Sequence, residues 1–320
     1  MQTPLQYDAV IFDIDNVLVD TRTSYLDAIR WTVEIFLTHG RVPAVLPPPK
    51  SCEPFLLSKR DVENFKLLGG FNDDWDCCYG LLNYLMPLVP GSRTAIELRK
   101  KIDIEKFAAS AAHRPLGVSG LVKYRERSPL ITIEKISRIF QEVYLGQDLV
   151  ALSEKRNALH WKKRGLIHKE RLIFKKPLLE KLKAKGLKFG ITTGRPRFEA
   201  LYVLKKFHIE PLFDAVTTMD DVKKAERQMG CALRKPHPFS LLETAKKIGL
   251  KKRFLYLGDM PDDIFSALRA KPDIQVTAVG FICKAHHRDT AKTALEKAGA
   301  ESIFEKPVDV LRLVGKSRGS

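Results

Sequence analysis

Four short segments of this chain each set a charged or hydroxyl residue just after an apolar run, and they constrain the fold more than any other feature. They are Val10-Ile11-Phe12-Asp13-Ile14-Asp15-Asn16-Val17-Leu18, Gly190-Ile191-Thr192-Thr193-Gly194-Arg195-Pro196, Arg234-Lys235-Pro236-His237-Pro238 and Tyr256-Leu257-Gly258-Asp259-Met260-Pro261-Asp262-Asp263. In a parallel sheet, residues so placed lie at the carboxyl ends of strands, where open α/β folds bind ligands. The surrounding periodicity agrees. From Arg171 onward it predicts helix 177–185, strand 187–192, helix 196–207, strand 213–217, helix 238–247 and strand 253–258. Helix 261–270, strand 274–279, helix 288–298 and a short strand near 301–304 follow. Such alternation is the mark of a doubly wound parallel sheet.

The first half of the chain reads differently. Residues 7–12 form one short buried strand, and after Asp20 the apolar positions Tyr25, Ile29, Val33, Phe36 and Leu37 recur at helical steps until Gly40. Pro43, Pro47, Pro48, Pro49 and Pro54 exclude regular helix or central strand over 41–54. From Lys59 to Trp161 the pattern predicts helices near 59–68, 73–86, 92–101, 117–126, 131–144 and 147–160, with no convincing strand. The expected organisation is a discontinuous α/β core of residues 1–20 and 170–320, interrupted by an α-helical domain over 21–169.

Bulk properties narrow the function classes. No apolar run approaches the ~20 residues that a membrane span needs, and the N-terminus lacks a basic region of the kind that opens a signal peptide. Five cysteines at irregular spacing suit neither a disulfide framework nor a zinc site. The cytoplasm is the expected compartment. The net charge of +17 fits two readings equally, a nucleic-acid surface, or a lysine-rich proteome with an anionic small substrate. Its densest stretch, Lys155 to Lys188, carries thirteen Lys/Arg, many on a helix whose Leu178, Leu179 and Leu182 form the buried stripe. A solvated face explains this better than a nucleic-acid surface, because no interleaved aromatic residues accompany it.

The residue types in the four segments suit phosphoryl chemistry. Asp13 and Asp15 would face opposite sides of a continuous strand, but Asn16-Val17-Leu18 leaves the strand, so both acids can approach one pocket. A carboxylate pair of this kind suits a nucleophile plus a general acid/base, although two solvated loop aspartates would give the same spacing. Thr193 closes a strand and opens a helix near Pro196, where its hydroxyl and backbone N–H groups can cradle a phosphate. Arg195 and Arg197 read as solvated. Pro236 and Pro238 fix Lys235 just ahead of a helix, where an ammonium can offset the repulsion between phosphate oxygens and an attacking carboxylate. His237 reads as structural. Asp259 on a strand-to-helix turn offers the hard oxygen that magnesium prefers, whereas Asp262 reads as an exposed acid favoured by the helix dipole. The pairs Asp220-Asp221 and Asp73-Asp74 follow no comparable strand.

In order and spacing these four segments resemble the motifs of the haloacid dehalogenase superfamily of aspartate-nucleophile phosphatases, in the type with a cap inserted after the first motif. The resemblance covers the core. It implies a Rossmann-like α/β core, an aspartyl-phosphate formed on Asp13, and Asp15 as the acid/base. It makes Thr193 and Lys235 the remaining catalytic groups and places Asn16, Thr193, Gly194 and Lys235 against substrate. It also implies Mg2+ held by Asp13, the backbone carbonyl of Asp15, Asp259 and Asp263, with Asp263 orienting the ion or a bound water. Asn16-Val17 stands where Gly-Thr is frequent in the family, and Asn tolerates the positive φ that such a turn requires. Asp15 argues for phosphate esters over 2-haloacids, since the dehalogenating branch lacks an acid two residues after its nucleophile.

The inserted domain matches the family by position and helical character only. Within Gly69–Gly80, Asn72 or Asp73 is an expected helix N-cap, with Trp75, Tyr79 and Leu82 packing inward. Asn72, Asp73 and Trp75 are the candidates for contacting a substrate's leaving group, and the glycine-punctuated basic stretch of Gly117, Gly120, Lys123 and Arg125 is the candidate for meeting a second anionic group. The expectation is therefore a magnesium-dependent phosphatase acting on a small phosphorylated metabolite. A phosphomutase is the alternative with the same chemistry, and a nucleic-acid- or anion-binding protein the alternative of another class.

Overall fold

Strand β1 (Ala9–Phe12) is completely buried, because it has a strand on each side and helices on both faces. The computed structural model describes residues 6–38, 53–66, 71, 73–111, 128–285 and 287–314. The chain divides into two units, one of Met1–Asp20 with Arg171–Ser320 and the other of Thr21–Glu170.

The first unit is built on a six-stranded sheet in the order β5-β4-β1-β6-β7-β8, every pairing parallel. Its later strands are β4 (Lys188–Thr192), β5 (Ala215–Thr217), β6 (Arg253–Gly258), β7 (Gln275–Phe281) and β8 (Ser302–Phe304). The chain starts in the middle, builds outward through β4 to β5, then returns to the other side of β1 for β6. That reversal creates a crevice at the carboxyl ends of β1, β4 and β6. Alternation along β1 sends Ala9 and Ile11 into a core with Leu241, Ala245, Phe254, Tyr256 and Ile264. On the opposite face Phe12 meets Phe174, Phe189 and Phe213 edge-on at 5.3, 5.5 and 6.1 Å.

Most elements of this unit lie near the expected positions, with instructive differences. β1 begins at Ala9 rather than residue 7. The helix after β4 begins at Arg197, with Pro196 just before it. A helix over Met219–Met229 occupies a stretch where the periodicity predicts none. Only Val222 and Ala225 of it are buried, so its apolar stripe is too thin to register as a pattern. Its start is fixed by Asp221, whose Oδ2 accepts from both the N–H and the hydroxyl of Thr218 at 2.8 Å. Asp220 accepts from the Arg197 N–H at 2.6 Å, so both acids of this pair are structural. A two-stranded antiparallel ribbon, β2 (Val19–Asp20) with β3 (Arg171–Leu172), joins the two stretches of chain that lead into and out of the second unit.

The second unit is helical and has no named strand among its described residues. Its longest element, Ile133–Glu154, is broken at Gly146 (φ 81, ψ 170), between the two helices expected at 131–144 and 147–160. Glycine is required there: a Cβ would lie 2.2 Å from the Gly165 nitrogen. The expected helix 117–126 lies outside the described residues. Asp73 caps the helix Asp74–Leu85 through its carboxylate, and Asp74 pairs with Lys66 at 2.6 Å. Tyr79 and Leu82 of that helix are buried. Cys77 and Cys78 are fully buried, and burial pushes the Cys77 thiol up to about 12, which leaves it chemically quiet.

Candidate active site

The turn after β1 lifts two carboxylates out of strand alternation. The Asp13 N–H donates to the Leu257 carbonyl at 2.9 Å, extending the β1–β6 ladder by one residue. The chain then folds back: the N–H groups of Leu18 and Val19 both donate to the Ile14 carbonyl, and Asn16 donates to the Val19 carbonyl. Asn16 sits at φ 53, as the sequence pattern requires of this turn, and its Nδ2 donates to Asp259 Oδ2 at 3.2 Å. The turn after β1 and the loop after β6 are thereby tied together.

Lys235 stands at the centre of this end of the sheet. Its Nζ lies 3.0 Å from Asp13 Oδ1, 2.7 Å from Asp263 Oδ1 and 3.3 Å from the Thr192 carbonyl. Asp263 is engaged on both oxygens. Oδ1 also accepts from the buried Tyr256 hydroxyl at 2.7 Å, and Oδ2 accepts from the Met260 N–H at 3.1 Å. Gly258 makes this possible, since any Cβ there would fall 2.1 Å from the Asp263 Cβ. Tyr256 is a participant that the sequence hides, because on a central strand it reads as core.

Crowding of these acids shows in their protonation. Burial, reinforced by Asp263 and Asp15, pushes Asp13 up to about 7 despite the pull of Lys235. Burial, with Asp263 and Asp13, also raises Asp259 well above the usual carboxylate range. For Lys235, burial disfavours the charge, but Asp13 and Asp263 outweigh it and hold the ammonium well above the usual lysine range.

The Thr193 segment lies alongside. The Thr193 N–H donates to the Thr217 carbonyl at 3.1 Å, and its hydroxyl oxygen accepts from the Arg195 N–H at 3.2 Å. Gly194 is exposed, and a Cβ there would meet the Met219 side-chain methyl at 4.0 Å. Arg195 overturns the expectation of a solvated side chain: its guanidinium is sealed from solvent and donates to Asp15 Oδ1 from Nε at 2.9 Å and Nη2 at 2.6 Å. The carboxylate of Asp15 compensates the buried charge. Arg197 is exposed as expected. His237 is structural as expected, its Nδ1 accepting from the Phe239 N–H at 3.2 Å. Trp75 is half-buried in the first turn of its helix, where its N–H donates to the Asp73 carboxylate. Asn72 and Lys123 lie outside the described residues.

Comparison with known proteins decides the family. The family model for haloacid dehalogenase-like hydrolases matches residues 7–271. The chain belongs to the haloacid dehalogenase-like hydrolase family. It is 29% identical over 138 residues to the pyrophosphatase PpaX of Bacillus pumilus, covering 43% of this chain and 56% of that protein. It is 33% identical over 90 residues to the phosphoglycolate phosphatase of Escherichia coli, covering 28% of this chain and 32% of that one. The match therefore spans about half the length of the first relative and a third of the second. Among solved structures, an X-ray structure from a structural-genomics consortium superposes with a TM-score of 0.68 at 20% identity, covering 96% of this chain and 98% of that one. Phosphatase Tt82 from Thermococcus thioreducens gives 0.52 at 21% identity, covering 90% and 98%. These structures share the haloacid dehalogenase-like fold.

Members of this family use Mg2+, and the donor set here suits it. Carboxylate oxygens of Asp13, Asp259 and Asp263 lie within 4.8 Å of one another. Burial first, and the neighbouring carboxylates second, raise Asp13 and Asp259, and the Lys235 ammonium beside Asp13 does not offset this. A hard divalent cation with oxygen ligands fits that donor set. Among the described residues no helix is long and apolar enough to cross a membrane.

Proposed function

We propose that this protein is a magnesium-dependent phosphatase that hydrolyses a small phosphorylated metabolite through an aspartyl-phosphate on Asp13. The observation that carries this reading is the Asp13–Lys235–Asp263 chain, an ammonium held between two carboxylates at the mouth of the crevice. Lys235 engages Oδ1 of Asp13, and among the described residues no hydrogen bond engages Oδ2, which is the oxygen assigned to attack. The bond from Oδ2 to phosphorus forms as the bond from phosphorus to the leaving oxygen breaks. Asp15 gives that oxygen its proton, then takes a proton from water. The water oxygen attacks the same phosphorus, and the bond to Asp13 breaks to release phosphate.

Thr193, Gly194 and Lys235 hold the phosphate oxygens in this reading, with the open Gly194 backbone giving close approach. Asp13 and Asp259, with the Asp15 carbonyl, are the groups assigned to the metal, and Asp263, which also holds Lys235, is assigned to orient the ion or a bound water. Mg2+ held by these groups would supply positive charge to stabilise the phosphoryl oxygens. Asn16 sets the position of Asp259. The names of the relatives support two substrates to test first, a phosphorylated two-carbon acid and inorganic pyrophosphate. The test is phosphate release with Mg2+ over a panel containing both, together with sugar phosphates and nucleotides. One substrate turned over well above the rest supports the reading; no release from any panel member contradicts it.

A further inference from the structure

We infer that Arg195 is a positioning residue that holds Asp15 in its working orientation, an assignment that rests on the phosphatase reading of the same site. The pair is asymmetric in a way that a merely stabilising ion pair need not be. The Arg195 side chain is 1% exposed, whereas that of Asp15 is 29% exposed. The cation is locked into the protein and the anion keeps a face open. Nε and Nη2 converge on one oxygen, Oδ1. Two donors from a rigid planar group pin the position of Oδ1 and with it the rotamer of the carboxylate, and Oδ2 is left for chemistry. Asp15 needs such a brace. It lies beyond the end of β1, where its backbone is bridged to Val19 and the next residue has positive φ, and among the described residues only Arg195 hydrogen-bonds its carboxylate.

Placement of Arg195 in the chain fits the same role. Its own N–H donates to the Thr193 hydroxyl oxygen, so one residue touches both a group assigned to phosphate and the group assigned to proton transfer. Because that contact uses the backbone, substitution of the side chain removes the guanidinium alone. Stability is a poor explanation for the arrangement, since burying a cation carries a desolvation cost that pairing seldom more than recovers.

The test is a double-mutant cycle on kcat for p-nitrophenyl phosphate with Mg2+, using Arg195→Met, Asp15→Asn and the double variant, with thermal unfolding of each. Arg195→Met is expected to lower kcat by roughly 30-fold, with KM within about threefold, and to lower it by no more than about twofold when Asp15 is already Asn. Arg195→Lys, which keeps the charge but not the two-donor plane and guards against a poorly folded Met variant, is expected to lie between Met and wild type. Equal losses in both backgrounds would overturn the inference while leaving the phosphatase reading standing. So would a raised KM at unchanged kcat, which would place Arg195 against substrate. A wild-type protein that releases no phosphate from any compound of the panel would overturn both.

Discussion

Lys235 Nζ lies 3.0 Å from Oδ1 of Asp13, although the two residues are 222 positions apart in the chain. The contact gives the assigned nucleophile a fixed counter-charge in a place sealed from most solvent. Lys235→Met should therefore abolish more than a missing contact. With Asp13 and Asp263 left facing each other, turnover should fall by at least ~10³-fold, and the melting temperature of the metal-free protein should fall as well. Removing one partner of a buried pair commonly costs about 3–5 kcal/mol. Kinetics and calorimetry on the same preparation check both parts, and turnover within tenfold of wild type would remove Lys235 from the chemistry.

Asp13 sets a pH dependence of stability. Burial pushes its folded-state value up to about 7 from the ordinary 3.8. The folded protein thus binds this proton more tightly than the unfolded chain does. Its contribution is fully present below about pH 4 and is lost as pH rises through about 7. The metal-free protein should lose stability across that window, and Asp13→Asn should flatten the decline. Mg2+ competes with the proton, so its stabilising effect should be larger at pH 8 than at pH 5. Calorimetry with and without Mg2+ at several pH values checks this; superposable curves for wild type and Asp13→Asn would contradict it.

Gly258→Ala tests the packing beneath the site. A Cβ at that position would fall 2.1 Å from the Asp263 Cβ and 2.5 Å from its Cγ. Asp263 must move, and with it the oxygen that meets both Tyr256 and Lys235. The expected result is a loss of about 1–3 kcal/mol in stability and a larger proportional loss of turnover than of substrate affinity. A variant with wild-type turnover would show that the placement of Asp263 does not matter to the reaction.

Three of the four loops are legible in the sequence because each couples a buried strand to a residue whose chemistry is expensive to place by accident; the Lys235 loop follows the helix Met219–Met229 instead of a strand, and its two prolines make it legible. The break at Gly146 is legible for a related reason: two helical patterns meet there with a glycine between them. Arg195 is not. Its burial depends on Asp15, 180 positions away, and nothing local separates a sealed arginine from a solvated one. Tyr256 is hidden because its ring reads as core, while its hydroxyl matters only once Asp263 folds over it. The helix Met219–Met229 is hidden by polarity, and its one clear signal, Thr218 three residues before Asp221, reads as an acid pair until the cap is seen. The β2–β3 ribbon, two residues a strand, is too short to carry any periodicity.

The central claim is that Asp13 attacks phosphorus with the help of bound Mg2+, and p-nitrophenyl phosphate hydrolysis by wild type and Asp13→Asn, each with Mg2+ and with EDTA, tests it most directly. Asn nearly preserves the shape of the side chain and removes the attacking oxygen. The expected result is wild-type turnover that needs Mg2+ and stops with EDTA, and a loss of at least ~10³-fold in Asp13→Asn without a fall in melting temperature. Full wild-type activity in EDTA, or an Asp13→Asn variant keeping a tenth of wild-type turnover, would contradict the account.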